Sequence, residues 1–107
     1  MLDVAALGEL LIDFTCLSTD ENGYPTMAAH PGGAPANFLA ALAKYGAKTA
    51  MLGEVGDDTF GRLLLDTLQR AGIETRGMIA APDVFTTLAF VTLDARGERE
   101  FAFARKP

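Results

Sequence analysis

The chain has 107 residues, 50% of them hydrophobic, one cysteine and a formal net charge of −5. This apolar fraction suffices for a packed core and excludes a disordered chain, and no apolar run approaches the roughly 20 residues of a membrane span. The acidic balance and the scattered basic residues argue against nucleic-acid binding, which needs clustered Lys and Arg. Cys16 is alone and cannot form an internal disulfide, which fits the cytoplasm, and the first residues lack the basic region of a signal peptide.

The first elements are short extended runs separated by turn residues. Residues 4–8 are apolar without a period, which is typical of a buried strand, and residues 10–14 continue it or begin a second extended piece. Residues 20–25 contain Asn-Gly followed by Pro and predict a turn, after which residues 26–30 predict a short returning strand.

The next segment has the composition of a helix. Residues 36–46 are rich in helix formers, Pro35 suits the first helical turn, and Gly46 suits the C-terminal end. The spacing predicts that one stripe of this helix packs against a sheet, formed by Phe38, Leu42 and Tyr45.

A second strand and helix follow. Residues 49–56 predict a strand, and residues 62–71 predict a helix capped by Asp or Thr and ended by Gly72. The inner face of this helix is expected to consist of Leu64, Leu68 and Ala71. The glycine-rich stretch at residues 53–61 favours a strand exit and a helix cap over a phosphate-binding loop, because its two adjacent acids repel phosphate unless a metal is present.

The last part of the chain predicts strands only. A strand is expected around residues 77–81, and residues 86–94 and 98–105 alternate on either side of a Gly-containing turn, which predicts a β-hairpin. Strands that alternate with helices favour an α/β fold with a parallel sheet.

The Gly32–Gly33 pair stands directly before the first predicted helix. Two glycines there let a ligand approach the main chain, the helix N-terminus offers free N–H donors, and Asn37 adds donors and an acceptor. This combination suits a polyhydroxylated ligand, although an ordinary strand-to-helix turn explains it equally well. Neither the dinucleotide-binding spacing nor a Walker loop is present.

Other candidates are individually ambiguous. Asp13 ends an apolar run, where an acid can accept hydrogen bonds from sugar hydroxyls or simply face water, and Glu9 is more ambiguous still. Phe101 and Phe103 form either sheet core or an apolar wall over a ligand, with Arg105 at its end. The lone His30 has no partner for a metal site, so the residues predict no metal centre.

Taken together, five segments resemble the PfkB-type (ribokinase-like) carbohydrate kinase family, particularly its fructokinase branch. They are residues 7–14, 31–37, 53–61, 86–91 and 101–107. Each segment alone is weak evidence for this family, but the order and spacing of the five together are specific to it. The resemblance implies the N-terminal part of a three-layer α/β/α sheet with a small β-lid, whose strands lie within about residues 10–30 and 86–105.

The resemblance also implies a division of labour among residues. The positions that match sugar-binding or lid positions of such kinases are Asp13, Gly32, Gly33, Asn37, Phe103 and Arg105. The resemblance implies ATP as cosubstrate, Mg²⁺ as metal and a small-molecule sugar as the phosphate acceptor. It also implies that the lid strands form a homodimer interface, as they do in many relatives. One departure is Leu39, where the family usually has a small residue, which would alter helix–sheet packing.

No segment matches the family's Gly-Ala-Gly-Asp motif, which supplies the anion hole and the catalytic base. We therefore expect no catalytic residue in this chain, no kinase activity from it alone, and an ATP-binding portion located elsewhere in a longer fold. The alternative is a truncated, non-catalytic module that binds sugar or associates through the lid strands. A third reading, an independent nucleotide-binding domain, is disfavoured because this sequence contains no phosphate-binding loop. Fructose is the first choice of sugar, with ribose, 2-keto-3-deoxygluconate and nucleosides left open.

Overall fold

The computed structural model describes residues 1–105 and contains two helices and eight strands. Lys106 and Pro107, which end the last family-like segment, lie outside the described residues. The elements in chain order are β1 (Val4–Leu7), β2 (Leu11–Thr19), β3 (Pro25–Gly32), α1 (Ala34–Lys44), β4 (Thr49–Gly56), α2 (Thr59–Arg70), β5 (Ile73–Glu74), β6 (Met78–Ala81), β7 (Leu88–Leu93) and β8 (Arg99–Ala104).

The inner sheet consists of β1, β4, β5 and β6, all parallel. β4 is its central strand: β1 pairs with its first half, β5 with Thr49 and Ala50, and β6 with its last four residues. The connections between these strands contain the helices, so the predicted α/β class with a parallel sheet is confirmed.

The outer sheet has the strand order β3-β2-β7-β8. β2 and β3 form an antiparallel hairpin. The side chain of Asp20 closes its turn by accepting hydrogen bonds from the backbone N–H groups of Asn22 and Tyr24, at 2.9 and 2.8 Å. β7 and β8 form the second hairpin, as the alternating pattern predicts, and β7 lies parallel to β2. Residues 10–14 therefore begin a strand of a different sheet and do not continue β1.

The buried face of α1 differs from the predicted stripe. Phe38 is 58% exposed and Tyr45 89% exposed, whereas Leu39 is fully buried. The predicted stripe consisted of bulky residues, whereas Ala36 and Ala40 pack beside Leu39 against the core. Small residues allow a helix to lie close to a sheet, so this face carries one large side chain and the aromatic rings remain outside. The family departure at Leu39 thus falls at the centre of the helix–sheet contact.

The inner face of α2 agrees with prediction at Leu64 and Leu68, which are buried, and not at Ala71, which is exposed at the helix end. Both helices pack on one core cluster shared with the strands, formed by Leu10, Ile12, Leu39, Met51, Val55, Leu64, Leu68 and Ile73.

The opposite face of the inner sheet is uncovered within residues 1–105. Leu7, Leu52 and Ile79 lie on this face and are 80%, 39% and 60% exposed. The described residues therefore supply the inner sheet and one layer of helices. None of the helices in this part of the chain is long and apolar enough to cross a membrane.

Candidate functional site

The Gly32–Gly33 turn joins the outer sheet to α1 and is shaped by the absence of side chains. The carboxylate of Asp13, on β2, lies against Gly32, and a Cβ atom at Gly32 would collide with it. β3 therefore needs glycine at this position for Asp13 to approach the main chain. Gly32 is itself buried, because the side chains of Asp13 and Leu11 pack over it, so the structure gives a bare but covered backbone at this position.

Gly33 is the N-cap residue of α1 and has a φ of 122°, a conformation that L side chains rarely adopt. A Cβ atom at Gly33 would also lie 2.7 Å from the carbonyl oxygen of Glu9. The start of α1 thus packs directly on the segment that follows β1. Asn37 donates its backbone N–H to the Gly33 carbonyl at 3.1 Å, and its side chain is at the surface beside a small cleft between α1 and α2.

One row of residues crosses the outer sheet through Asp13. His30 is its partner on β3, Ala89 its partner on β7, and Phe103 pairs with Ala89 from β8. Residues paired in register place their side chains on the same face of a sheet. Asp13 and Phe103 therefore share a face, separated by one fully buried alanine. Asp13 and His30 border an open cavity of about 870 Å³ together with Phe101, which lies two rows away on the same face.

Arg105 follows β8 and is held from two sides. Its guanidinium carbon lies 4.4 Å from the centre of the Phe103 ring, and its Nη2 atom lies 3.2 Å from Oε1 of Glu9. The other carboxylate oxygen of Glu9 accepts the hydroxyl of Thr87 at 3.2 Å. In the sequence Glu9 is a more ambiguous candidate than Asp13. Its position two residues after a parallel strand, at the edge where ligands of such sheets bind, is the available signal.

A second polar cluster ties α2 to the start of β7. Asp58 caps α2 by accepting the Gly61 N–H at 2.7 Å, and it also accepts the Thr86 N–H at 2.9 Å and the Thr86 hydroxyl at 2.7 Å. The Thr86 hydroxyl in turn accepts the N–H of Gly56 at 3.1 Å. Burial of the Asp58 carboxyl raises its pKa, but the hydrogen bonds from Thr86, Gly61 and Phe60 outweigh burial and lower the pKa below 3.8. The sequence showed a helix cap here but not its link to Thr86.

The predicted site residues form a connected series within residues 1–105. Asp13 meets Gly32, Gly33 packs on Glu9, Glu9 pairs with Arg105, and Arg105 stacks on Phe103. Asn37 lies one turn into α1, on the cleft side. The series combines a carboxylate acceptor, a helix N-terminus and guanidinium donors beside an aromatic ring, which are the groups that hydrogen-bond and cover a polyhydroxylated ligand.

The geometry shows no metal centre in the described part of the chain, since no group of three His, Cys, Asp or Glu side chains is placed to hold a metal ion. Asp13 and His30 stand together without a third ligand. The residues present therefore do not fit a divalent cation.

The sequence matches the family model described as pfkB family carbohydrate kinase over residues 1–107. It is 44% identical to Fructokinase-2 of Oryza sativa subsp. japonica and 41% identical to Probable fructokinase-5 of Arabidopsis thaliana, covering 97% of this chain in both cases. The chain spans only about a third of the length of these relatives, 32% and 33%.

Solved structures agree with the sequence comparison. The fructokinase of Xylella fastidiosa superposes with a TM-score of 0.89 at 38% identity, covering 95% of this chain and 32% of that one. An uncharacterized sugar kinase of Pyrococcus horikoshii, solved in complex with ATP, superposes with a TM-score of 0.83 at 32% identity, covering 94% of this chain and 33% of that one. The match over the whole sequence and the shared fold establish that this chain belongs to the pfkB family of carbohydrate kinases.

Proposed function

We propose that this chain forms the sugar-binding side of a fructokinase-like, ATP-dependent carbohydrate kinase that phosphorylates a primary hydroxyl of its sugar. The observation that carries the proposal is the contact between the Asp13 carboxylate and the Gly32–Gly33 turn. A carboxylate accepts hydrogen bonds from hydroxyl groups, and the N–H groups at the start of α1 donate to hydroxyl oxygens. Together they offer both halves of the contacts that a sugar requires.

The outer sheet acts as the lid in this proposal. Phe103 shares a sheet face with Asp13 and would cover the apolar side of a sugar ring, while Arg105 would donate to a hydroxyl or an anionic group. Asn37 would add a donor and an acceptor from the first part of α1. Fructose is the preferred sugar because the relatives named above are fructokinases.

ATP and Mg²⁺ belong to the proposed activity but not to residues described here. The resemblance implies both, and one neighbour was solved with ATP. The described residues contain no ligand set for Mg²⁺, so no step of phosphoryl transfer is assigned to them. Because no segment of this sequence matches the family's Gly-Ala-Gly-Asp motif, we expect the isolated chain to lack kinase activity. Robust ATP-dependent phosphorylation of fructose by the purified chain would contradict this.

Calorimetric titration of the purified chain with D-fructose tests sugar binding. The wild-type chain and Asp66→Asn, which alters an exposed ion pair on α2, should bind alike, and Asp13→Asn should bind at least tenfold more weakly because a charged acceptor is lost. Ribose, 2-keto-3-deoxygluconate and adenosine titrated in parallel identify the sugar class. Equal affinity of Asp13→Asn and wild type would refute the assignment of Asp13.

A non-catalytic module that associates with a second copy of the chain is the second candidate. β8 is an edge strand of the outer sheet, and Phe101 and Phe103 on it are each more than half exposed. An open strand edge with apolar side chains favours pairing with another strand. Size-exclusion chromatography with light scattering over a range of concentrations would show a dimer that Phe101→Lys weakens. A monomer at all concentrations would exclude this candidate.

A further inference from the structure

Glu9 connects three segments that are distant in sequence. It lies two residues after the end of β1, it pairs with Arg105 after β8 at 3.2 Å, and it accepts the hydroxyl of Thr87 before β7 at 3.2 Å. Each contact uses a different carboxylate oxygen, so the two do not compete. Glu9 thereby joins the inner sheet to both strands of the second hairpin of the outer sheet.

The position of Glu9 is fixed independently of Arg105. Its carbonyl oxygen lies where a side chain at Gly33 would otherwise be, so its backbone is held by the start of α1. Thr87 restrains its side chain, and Thr87 is itself anchored because its carbonyl accepts the N–H of Ile12 at 3.0 Å. Arg105 has the longer side chain, with more rotamers available to it, and Glu9 is the member of the pair that has a further restraint.

The ion pair is too exposed to serve mainly as a source of stability. The side chains of Arg105 and Glu9 are 47% and 45% exposed, and pairs of this kind add little to folding free energy. Their geometric effect is larger, because the pair and the Phe103 ring restrict a side chain with many rotamers. Only one of the guanidinium nitrogens is used by Glu9, which leaves other donors for a ligand.

We propose that Glu9 is a positioning residue that holds the Arg105 guanidinium on the Phe103 ring, at the junction of the two sheets and beside the Gly32–Gly33 turn. A consequence that rests on the proposed function is that Glu9 raises sugar affinity without touching the sugar, because Arg105 is ordered before the ligand arrives.

The test uses NMR on the full 107-residue chain and needs no ligand. The signals are the rate of rotation about the Nε–Cζ bond of Arg105 and the ring-current shift that Phe103 imposes on its Hδ protons, assigned by comparison with Arg105→Lys. Glu9→Gln should speed the rotation several-fold and reduce the shift. Glu100→Gln, on the exposed surface of β8, is the matched control and should leave both signals unchanged.

Thr87→Val provides a second route to the same result. It removes the hydroxyl that restrains Glu9 and leaves the ion pair chemically intact, so it should change both signals in the same direction but less. If Glu9→Gln fails to give a folded chain by circular dichroism, Thr87→Val decides. Wild-type rotation rates and shifts in the folded Glu9→Gln chain, or in Thr87→Val where that variant decides, would overturn the proposal.

The consequence for sugar is measured separately by titration with D-fructose. Glu9→Gln should weaken affinity about three- to tenfold, the range expected from ordering one long side chain, and Glu100→Gln should not change it. Failure of the wild-type chain to bind fructose would refute the proposed function, while the Arg105 signals would still decide whether Glu9 positions Arg105. Unchanged fructose affinity in Glu9→Gln, where wild type binds, would overturn the consequence for sugar.

Discussion

At the residue scale, Gly33 meets two separate requirements: a positive φ and a close approach to the Glu9 carbonyl. Gly46, after α1, meets only the first, because a Cβ atom there would touch nothing within 4 Å. Comparing the two glycines, which lie at opposite ends of α1, therefore separates the cost of a positive φ from the cost of a steric collision.

We expect Gly46→Ala to lower the free energy of unfolding by about 1–2 kcal/mol, the cost of a left-handed conformation for an L residue. Gly33→Ala should cost about 2–4 kcal/mol, because the collision with the Glu9 carbonyl adds to the strain. Urea unfolding followed by circular dichroism measures both. Equal losses for the two variants would show that the contact between Gly33 and Glu9 is not a steric constraint.

Asp58 gives the chain a specific dependence on pH. Hydrogen bonds lower its pKa in the folded state, so the folded protein binds a proton less readily than the unfolded one. The stability contributed by the ionised carboxylate is present above the unfolded value near 3.8 and is lost as pH falls through the lower folded value.

The difference in unfolding free energy between wild type and Asp58→Asn should be about 1–2 kcal/mol at pH 7, the advantage of charged over neutral hydrogen bonds, and should shrink at acidic pH. Urea unfolding at several pH values measures it. Asp57→Asn is the control: the Asp57 side chain forms an exposed 3.4 Å ion pair with Arg62, so this variant should differ little from wild type in unfolding free energy. A constant difference for Asp58→Asn across pH would contradict the assignment.

Residue type and the family resemblance together singled out part of the candidate site. The glycine pair was readable because the chain places two glycines before a helix, and the family resemblance selected Asp13 and Arg105 from several ambiguous residues. Glu9 and Thr86 were not assigned, because their contacts join segments that are far apart in the chain. Such pairs leave no local pattern, and only the topology of the two sheets brings them together.

At the element scale, α1 shows where hydrophobic periodicity is misleading. Large side chains dominate a helical stripe in sequence, yet Leu39 and its flanking alanines form the buried face. The positions of most strands and the β7–β8 hairpin were predicted because turn residues mark their ends, but β2 continues to Thr19, five residues beyond the predicted extended piece at residues 10–14. β5, which has only two residues, was missed because it is too short to show a period.

Leu39→Ala should lower the free energy of unfolding by about 2–5 kcal/mol, because it removes a fully buried side chain from the core. Phe38→Ala is the matched control on the adjacent, exposed face and should cost less than about 1 kcal/mol. Chemical unfolding of both variants measures the contrast. If Phe38→Ala lowered the free energy of unfolding more than Leu39→Ala does, the stripe predicted from the sequence would be the buried face of α1.

At the scale of the whole molecule, the two faces of the inner sheet are unequal. One carries the helices and the core, and the other exposes Leu7, Leu52 and Ile79. Adjacent exposed apolar side chains on a flat sheet bind apolar dyes.

The chain should therefore increase the fluorescence of anilinonaphthalene sulfonate in its native state, and the double substitution Leu7→Lys and Ile79→Lys should remove most of that increase. Tyr24→Lys, which alters an exposed aromatic residue on the β2–β3 turn, should leave it unchanged. Dye fluorescence that persists in the double variant would place the apolar patch elsewhere.

The parallel pairing of β2 with β7 also has a consequence for folding. The β2–β3 hairpin closes through local contacts, but Ile12 of β2 pairs with Leu88 of β7, most of the chain length away. Closing so long a loop costs conformational entropy, and the hydrogen bonds between Asp58 and Thr86 at the start of β7 help to offset it. During synthesis β2 leaves the ribosome long before β7 does, so we expect the edge of β2 that pairs with β7 to stay open, and prone to aggregation, until β7 is available.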